Sequence, residues 1–328
     1  SGMADKILVA GGAGYIGSVV VEQLLARGYL VVVLDDLSRG HRAAVDSGVD
    51  FVRGGIGDRA VLDEVFARHE IAALVHLAAF ALVAESVAQP QKYFANNVVA
   101  GRVMLEAAAR AGLRRLIFSS SCAVYGTPSR VPIPEDAARA PVNPYGQTKL
   151  EFERMLAEHA DRYGLVSISL RYFNAAGATR YGEHHEPETH LIPNVLRVAL
   201  GRHPAVEVYG TDYPTRDGTA VRDYVHVADI ADAHVRALEV DVTGAETLNL
   251  GTGAGYSVLE VVEAARRVTG RTIPTVACPR RPGDPPELVA EVGRAGRLLG
   301  WQPQRSGLEE ILVSAWRWHQ THPSGYPA

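Results

Sequence analysis

Tyr145 and Lys149 stand four positions apart in the segment Pro144-Tyr145-Gly146-Gln147-Thr148-Lys149. At a helix start that spacing puts both side chains on one face, about one turn apart. A tyrosine hydroxyl ordinarily titrates near 10, so acting as a base at pH 7 asks for a downward shift of about 3 units, or roughly 4 kcal/mol. A single cation about 4 Å away, at an effective dielectric near 20, supplies about that much. Lys149 is one such cation. Taken alone, a Tyr-x-x-x-Lys pair is an ordinary exposed helix face, and its meaning depends on what surrounds it.

Two further groups give it that meaning. Gly11-Gly12-Ala13-Gly14-Tyr15-Ile16-Gly17 has glycines at 11, 14 and 17, after an apolar run and before a helical pattern. In that setting, residues without side chains let backbone N–H groups approach a pyrophosphate at the positive end of a helix. Asp35 ends the next apolar run, 18 residues after Gly17. A carboxylate there accepts hydrogen bonds from an adenosine ribose and repels a 2′-phosphate, which favours NAD over NADP, although Arg39 is near in sequence. The positive nicotinamide ring is then a second cation for Tyr145. Ser119-Ser120-Ser121 follows the apolar run Arg115 to Phe118, at a carboxyl end where a serine hydroxyl can reach the reacting oxygen. A Ser-His-Asp hydrolase is disfavoured, because no Gly-x-Ser-x-Gly elbow occurs.

These residues need a scaffold of alternating elements, and the chain supplies one. Lys6 to Ala10 reads as a strand, Ser18 to Arg27 as a helix closed by Gly28, and Tyr29 to Leu34 as a second strand. Ala72 to Leu77, Arg115 to Ser119 and Val166 to Arg171 read as strands; Gln91 to Ala111 and Leu150 to Tyr163 read as helices. The strands are continuously apolar, as expected when both faces of a sheet are covered. The expected class is α/β, a doubly wound parallel sheet of the Rossmann kind with a smaller mixed α/β domain. Residues 3–176 are expected to form the dinucleotide-binding domain, with a segment around 218–250 returning to it, and 177–328 mainly a substrate domain. Pro279 to Pro286 holds four prolines, which breaks any helix there.

Composition narrows the function classes. The 328 residues are 47% hydrophobic and 21% charged, with 33 Lys and Arg against 37 Asp and Glu, a net charge of -4. Nothing in that balance attracts nucleic acid or an anionic membrane. The longest uncharged, mostly apolar run, Ile71 to Ala84, is short of the roughly 18 residues that span a bilayer. Only Cys122 and Cys278 are present, so no disulfide framework is implied and a reducing cytoplasm is the expected compartment. Ser1-Gly2 ahead of Met3 reads as a tag remnant, with no secretory signal after it.

Taken together, the segments GGAGYIGS (11–18), SSSCAVYG (119–126), PYGQTK (144–149) and RYFNAAGA (171–178) resemble the extended short-chain dehydrogenase/reductase family. YGTDYPTRDGTAVRDYVHV (209–227), NLGTGAGYSV (249–258) and RRPGD (280–284) narrow the resemblance to its UDP-glucose (UDP-galactose) 4-epimerases, over about Lys6 to Pro327. The resemblance implies reversible C4 epimerisation of a UDP-hexose, by transient hydride transfer to tightly bound NAD and through a 4-keto sugar that turns about its diphosphate link. It makes Tyr145 the general base and acid, Lys149 its partner and Ser121 the hydrogen-bonding helper. The implied cofactor set is Gly11, Gly14, Tyr15, Ile16, Gly17, Asp35, Asp36, Leu77, Ala78, Asn96, Ser119, Tyr145, Lys149 and Tyr172. The implied substrate set is Ser121, Tyr145, Asn174, His190, Leu191, Tyr209, Arg222, Arg281 and Asp284. In that set the two arginines hold the phosphates, Tyr209 the uracil and Asp284 the ribose. A homodimer is implied by analogy; no metal is.

The chain departs from the family at several places. Gly55 stands where an aspartate near the adenine is usual, with Asp58 close by, and Ala81 stands where a lysine often reaches the cofactor. His190 replaces a common asparagine, and Leu288 takes a place filled elsewhere by tyrosine or a smaller residue. These last two bear on hexose choice, with N-acetylhexosamine and glucuronate forms as the alternatives. Arg180, His184 and His185 read as a solvated loop without a metal-chelating pattern. A sugar-nucleotide dehydratase is disfavoured, since Cys122-Ala123 occupies the place of its acidic pair, and Cys122 reads as a small buried residue. A non-catalytic nucleotide sensor would not need Ser121, Tyr145 and Lys149 together. Asn249 to Gly255 reads as a structural turn rather than a second dinucleotide loop.

Overall fold

The computed structural model describes residues 4–328, so Ser1-Gly2 and Met3 lie outside it. Its centre is a seven-stranded sheet: β1 (Lys6–Ala10), β2 (Leu30–Asp35), β3 (Asp50–Arg53), β4 (Ile71–His76), β5 (Arg115–Ser121), β6 (Val166–Tyr172) and β7 (Ala245–Leu250). The order is β7-β6-β5-β4-β1-β2-β3, and every pairing is parallel. Strand order reverses between β1 and β4, which opens a crevice at their carboxyl ends.

The continuous apolar runs follow from burial on both faces. Val9 and Val33 pack on one face with Val19, Val20 and Leu24 of helix α1 (Tyr15–Ala26). Leu8 and Leu34, their neighbours in sequence, point the other way and meet Met104, Phe152 and Leu156. All of these side chains are at most 2% exposed, and each fully buried Val, Leu or Phe contributes about 1.5–3 kcal/mol. A separate apolar cluster built from Val195, Leu196, Val261, Val262, Ile311 and Leu312 lies in the second half of the chain.

The element boundaries differ from the sequence pattern in instructive ways. α1 begins at Tyr15, three residues before the expected Ser18, because the glycine loop enters it directly. The helix carrying Tyr145 and Lys149, α2 (Pro144–Tyr163), begins six residues before the expected Leu150, with Pro144 at its first turn. Its N-cap is Asn143, which accepts from the Gly146 N–H at 2.8 Å. β5 runs two residues past the expected Ser119, so Ser120 and Ser121 belong to it rather than to a turn after it. The expected long helix from Gln91 is helical from Pro90 to Arg110 but contains a π segment, Phe94–Ala100. A 3.6-residue reading does not register such a segment. Among the described residues no helix is long and apolar enough to cross a membrane.

Candidate active site

The glycine loop joins β1 to α1 at the switch point. Gly11 has φ +84, and a Cβ on it would come 2.6 Å from the Leu77 carbonyl carbon at the end of β4. A Cβ on Gly17 would come 2.1 Å from the Gly11 carbonyl oxygen. Gly14 is the N-cap of α1 and no side chain caps the helix, so its first-turn N–H groups point out at the crevice. That cradle fits a pyrophosphate.

Asp35 ends β2 and is 8% exposed; its Oδ2 accepts from Ala13 N at 2.9 Å and its Oδ1 from Leu37 N at 2.8 Å. Burial raises its pKa, and those two amides pull it back. Asp36 is exposed and accepts from Ser38 N. Arg39 is drawn away into a pair with Glu85 at 2.9 Å. From the π segment, Asn96 donates to the Ala78 carbonyl at 3.4 Å. Its neighbour Asn97, which sequence reasoning did not single out, is buried and holds both N–H and C=O of Phe80 as well as Thr148. The Asn-Asn pair in an otherwise apolar stretch was the available signal.

β5 and α2 bring the chemical set together. Ser121, at the end of β5, is 7% exposed. Lys149, 3% exposed, donates from Nζ to the Ser119 carbonyl at 2.6 Å and lies 5.7 Å from the centre of the Tyr145 ring. Burial pushes the Tyr145 hydroxyl up to about 12, against a lowering by its hydrogen bond with Ser121. Burial likewise pushes the Lys149 amine down to about 7, while Glu153, one turn on, draws it back up. With the Lys149 amine turned to the Ser119 carbonyl, burial dominates the Tyr145 hydroxyl, which leaves the nicotinamide ring as the second cation the expectation named. Tyr172, the last residue of β6, bonds His234, and burial raises its hydroxyl. Burial also pushes the Cys122 thiol up to about 12, as befits a small apolar filler.

The second group of candidates comes from separate segments. Arg222, in the strand Val221–Arg222, donates to Asp284 Oδ1 at 2.5 Å and to the Pro285 carbonyl at 2.8 Å. The Arg281 guanidinium lies 4.0 Å over the Tyr209 ring, whose hydroxyl bonds Glu207. Asn174 starts a short strand paired with Tyr224. His190, the N-cap of helix α3 (Leu191–Ala199), bonds Glu183 through Nδ1. Leu288 packs with Cys122 and Phe173. Buried Asp223, which was passed over in the sequence, accepts from Thr252 N, Gly253 N and Ala290 N. It thereby occupies the Thr252 and Gly253 amides of the 249–255 turn, as expected of a structural turn. Its place between Arg222 and Tyr224 was the available sign.

The profile of the NAD dependent epimerase/dehydratase family matches residues 7–251. The chain belongs to that family. It is 51% identical to the UDP-glucose 4-epimerase of Streptomyces lividans over 328 residues, 99% of each chain. In three dimensions it is similar to UDP-glucose 4-epimerase from Brucella ovis in complex with NAD, with a TM-score of 0.92 and 48% identity over 96% of this chain and 98% of that one. It is similar also to the enzyme from Bifidobacterium longum in complex with NAD+ and UDP, with a TM-score of 0.94 and 37% identity over 98% and 100%.

Proposed function

We propose that this chain is an NAD-dependent UDP-hexose 4-epimerase that interconverts UDP-glucose and UDP-galactose. The observation that carries the reading is the convergence of Tyr145, Ser121 and Lys149 at the carboxyl end of β5, beside the glycine loop at the switch point.

When bound, oxidised NAD supplies a reversible hydride acceptor and a fixed positive ring. The first-turn N–H groups of α1 after Gly14 would hold its pyrophosphate, and Asp35 its adenosine ribose. Lys149 would hold the nicotinamide ribose. Tyr145 would take the proton from the sugar O4 and return it to the same oxygen once the 4-keto sugar has presented its other face, with Ser121 hydrogen-bonding that oxygen. Because burial disfavours its phenolate, Tyr145 serves as base only while positive charge is held near it.

Arg222 and Arg281 are suited to the two phosphates, since a guanidinium can meet each bidentately. To do so Arg222 must share or leave Asp284, which then meets the uridine ribose. Tyr209 under Arg281 is placed for the uracil. Asn174, His190 and Leu191 line the hexose side in this reading, and a firm hold on UDP with a loose hold on the sugar lets the 4-keto form turn. We place the enzyme in a reducing cytoplasm, in keeping with two free cysteines. We also propose a homodimer, with Phe94, 53% exposed beside Val98 and Leu150, on the self-associating face.

The test is incubation with UDP-galactose, UDP-glucose, their N-acetyl forms and UDP-glucuronate. The expected result is interconversion of the first two without net NADH release. Unchanged sugars beside tightly held NAD would overturn the reading, and light scattering at a monomer mass would remove the dimer.

A further inference from the structure

The loop before α3 gathers four side chains, of which only His190 has been given a part in the proposed reaction. Glu183, His185, Glu188 and His190 each offer one ligand atom, and these atoms all lie within 4.8 Å of one another. His185 Nδ1 is 3.3 Å from a Glu183 oxygen and 3.4 Å from a Glu188 oxygen. His190 Nδ1 is closer still to Glu183. The two carboxylates are nearly buried, each 5% exposed at the side chain.

We propose that these four residues hold a divalent transition-metal ion, with zinc the best fit to two imidazoles and two carboxylates. Zinc binds such nitrogens and oxygens at about 2.0–2.2 Å, so neighbouring ligands of a tetrahedral ion stand about 3.3–3.6 Å apart. Both His185 contacts match that edge. The second observation is the state of His185 Nδ1: it is buried, yet has no hydrogen-bond partner despite two carboxylates beside it. A network held only by hydrogen bonds would aim that nitrogen at an oxygen. Here it stands 3.3 and 3.4 Å from two carboxylates without bonding either, the spacing of ligands around a shared centre. His190 and Glu183 separate slightly to admit the ion.

The sequence reading missed this because it weighed His184 with His185. His184 instead stacks on His41, and the ligands follow the spacing Glu-x-His-x-x-Glu-x-His. The loop is also already fixed around the cluster, since Glu188 accepts from the N–H groups of His185 and His190. His185 meets the Tyr15 ring edge-on at 6.3 Å between centroids. An ion there pins the loop between the glycine-loop residue Tyr15 and the start of α3. It is a positioning site, and no step of the chemistry passes through it.

The full chain, stripped with a chelator and dialysed against zinc chloride, is expected to take up one zinc per chain and to gain several degrees in Tm. Cobalt in its place is expected to give the intense visible bands of a four-coordinate ion. His185→Ala and Glu188→Gln should each weaken zinc binding at least tenfold and abolish the Tm gain, whereas His203→Ala, at an exposed histidine elsewhere, should change neither. Circular dichroism checks that the variants fold. Should His185→Ala fail that check, Glu188→Gln and His190→Ala carry the same comparison. Absence of saturable stoichiometric zinc binding in the unmodified chain, or equal affinity in the folded cluster variants, overturns the site.

Discussion

The two walls proposed for the crevice, one for the cofactor and one for the sugar nucleotide, are made by different means. The cofactor wall is backbone. Gly11 N donates to the Leu34 carbonyl and Leu77 N to the Ala10 carbonyl, both at 2.8 Å, so three strand ends of one sheet fix the loop before any side chain is involved. The opposite wall is side chain. Asn174, His190, Tyr209, Arg222 and Arg281 come from five separate segments, and pairs such as Arg222 with Asp284 and Arg281 with Tyr209 join them. A wall of backbone leaves no room for a methyl group. A wall of side-chain pairs can exchange members and so retune which sugar it takes.

The sharpest way to break this contrast is to add one methyl to the backbone wall. Gly17→Ala puts a Cβ 2.1 Å from one backbone oxygen and 2.8 Å from the Gly12 Cα, so the loop itself must shift. We expect loss of bound NAD, measured by release after denaturation, and of all activity with it. Retained NAD at native Tm would mean the loop is softer than the ladder implies.

Next in size is the reacting pair. Tyr145→Phe is expected to lower kcat by more than about 100-fold with NAD content unchanged, and near-normal turnover would refute the role. Lys149→Met should lose activity on a similar scale yet gain stability. The folded amine, near 7, lies below its ordinary 10.5, so the unfolded chain binds more protons between those values and stability rises with pH there. The cost of the buried lysine is therefore full below about pH 7. In cofactor-free protein the Tm advantage of methionine should be greatest at pH 6 and fade towards pH 10; an advantage constant with pH would contradict a depressed amine.

On the side-chain wall, Arg222→Ala removes charged hydrogen bonds worth about 1.5–3 kcal/mol. We expect KM for the UDP-sugar to rise about 10- to 100-fold with kcat little changed and NAD retained. A fall in kcat alone would place Arg222 in the chemistry instead of the grip.

The same contrast decides what could be read from the sequence. The backbone wall was legible because each part is a local pattern: glycines at 11, 14 and 17, an apolar run ending in Asp35, Tyr145 and Lys149 one helical turn apart. The apolar pattern of α2 shows only from Leu150, because Pro144 to Lys149 lacks an apolar face; its start was legible instead from Pro144 and the Tyr145–Lys149 spacing. The joining of Arg222 to Asp284, 62 positions on, and the buried anchor Asp223 leave no periodic trace. Nor could the raised Tyr145 hydroxyl be foreseen, since it follows from how deeply the folded chain buries the ring.

The smallest expected effect tests whether the backbone wall is rigid everywhere or only where strands converge. Gly55 follows β3, and a Cβ added to it would meet nothing within 4 Å. Gly55→Ala should therefore leave stability within about 0.5 kcal/mol and NAD retention unchanged. Asp58, the nearest acid, already caps the next helix by accepting from Val61 N at 3.2 Å, and so is not free to stand in for a carboxylate here. Gly55→Asp would then add an acceptor in open space. If it faces the adenine, NAD dissociation should slow by about two- to tenfold, the worth of one net hydrogen bond. An unchanged rate in Gly55→Asp, beside a silent Gly55→Ala, would place residue 55 outside the cofactor wall and end that wall at Asp35.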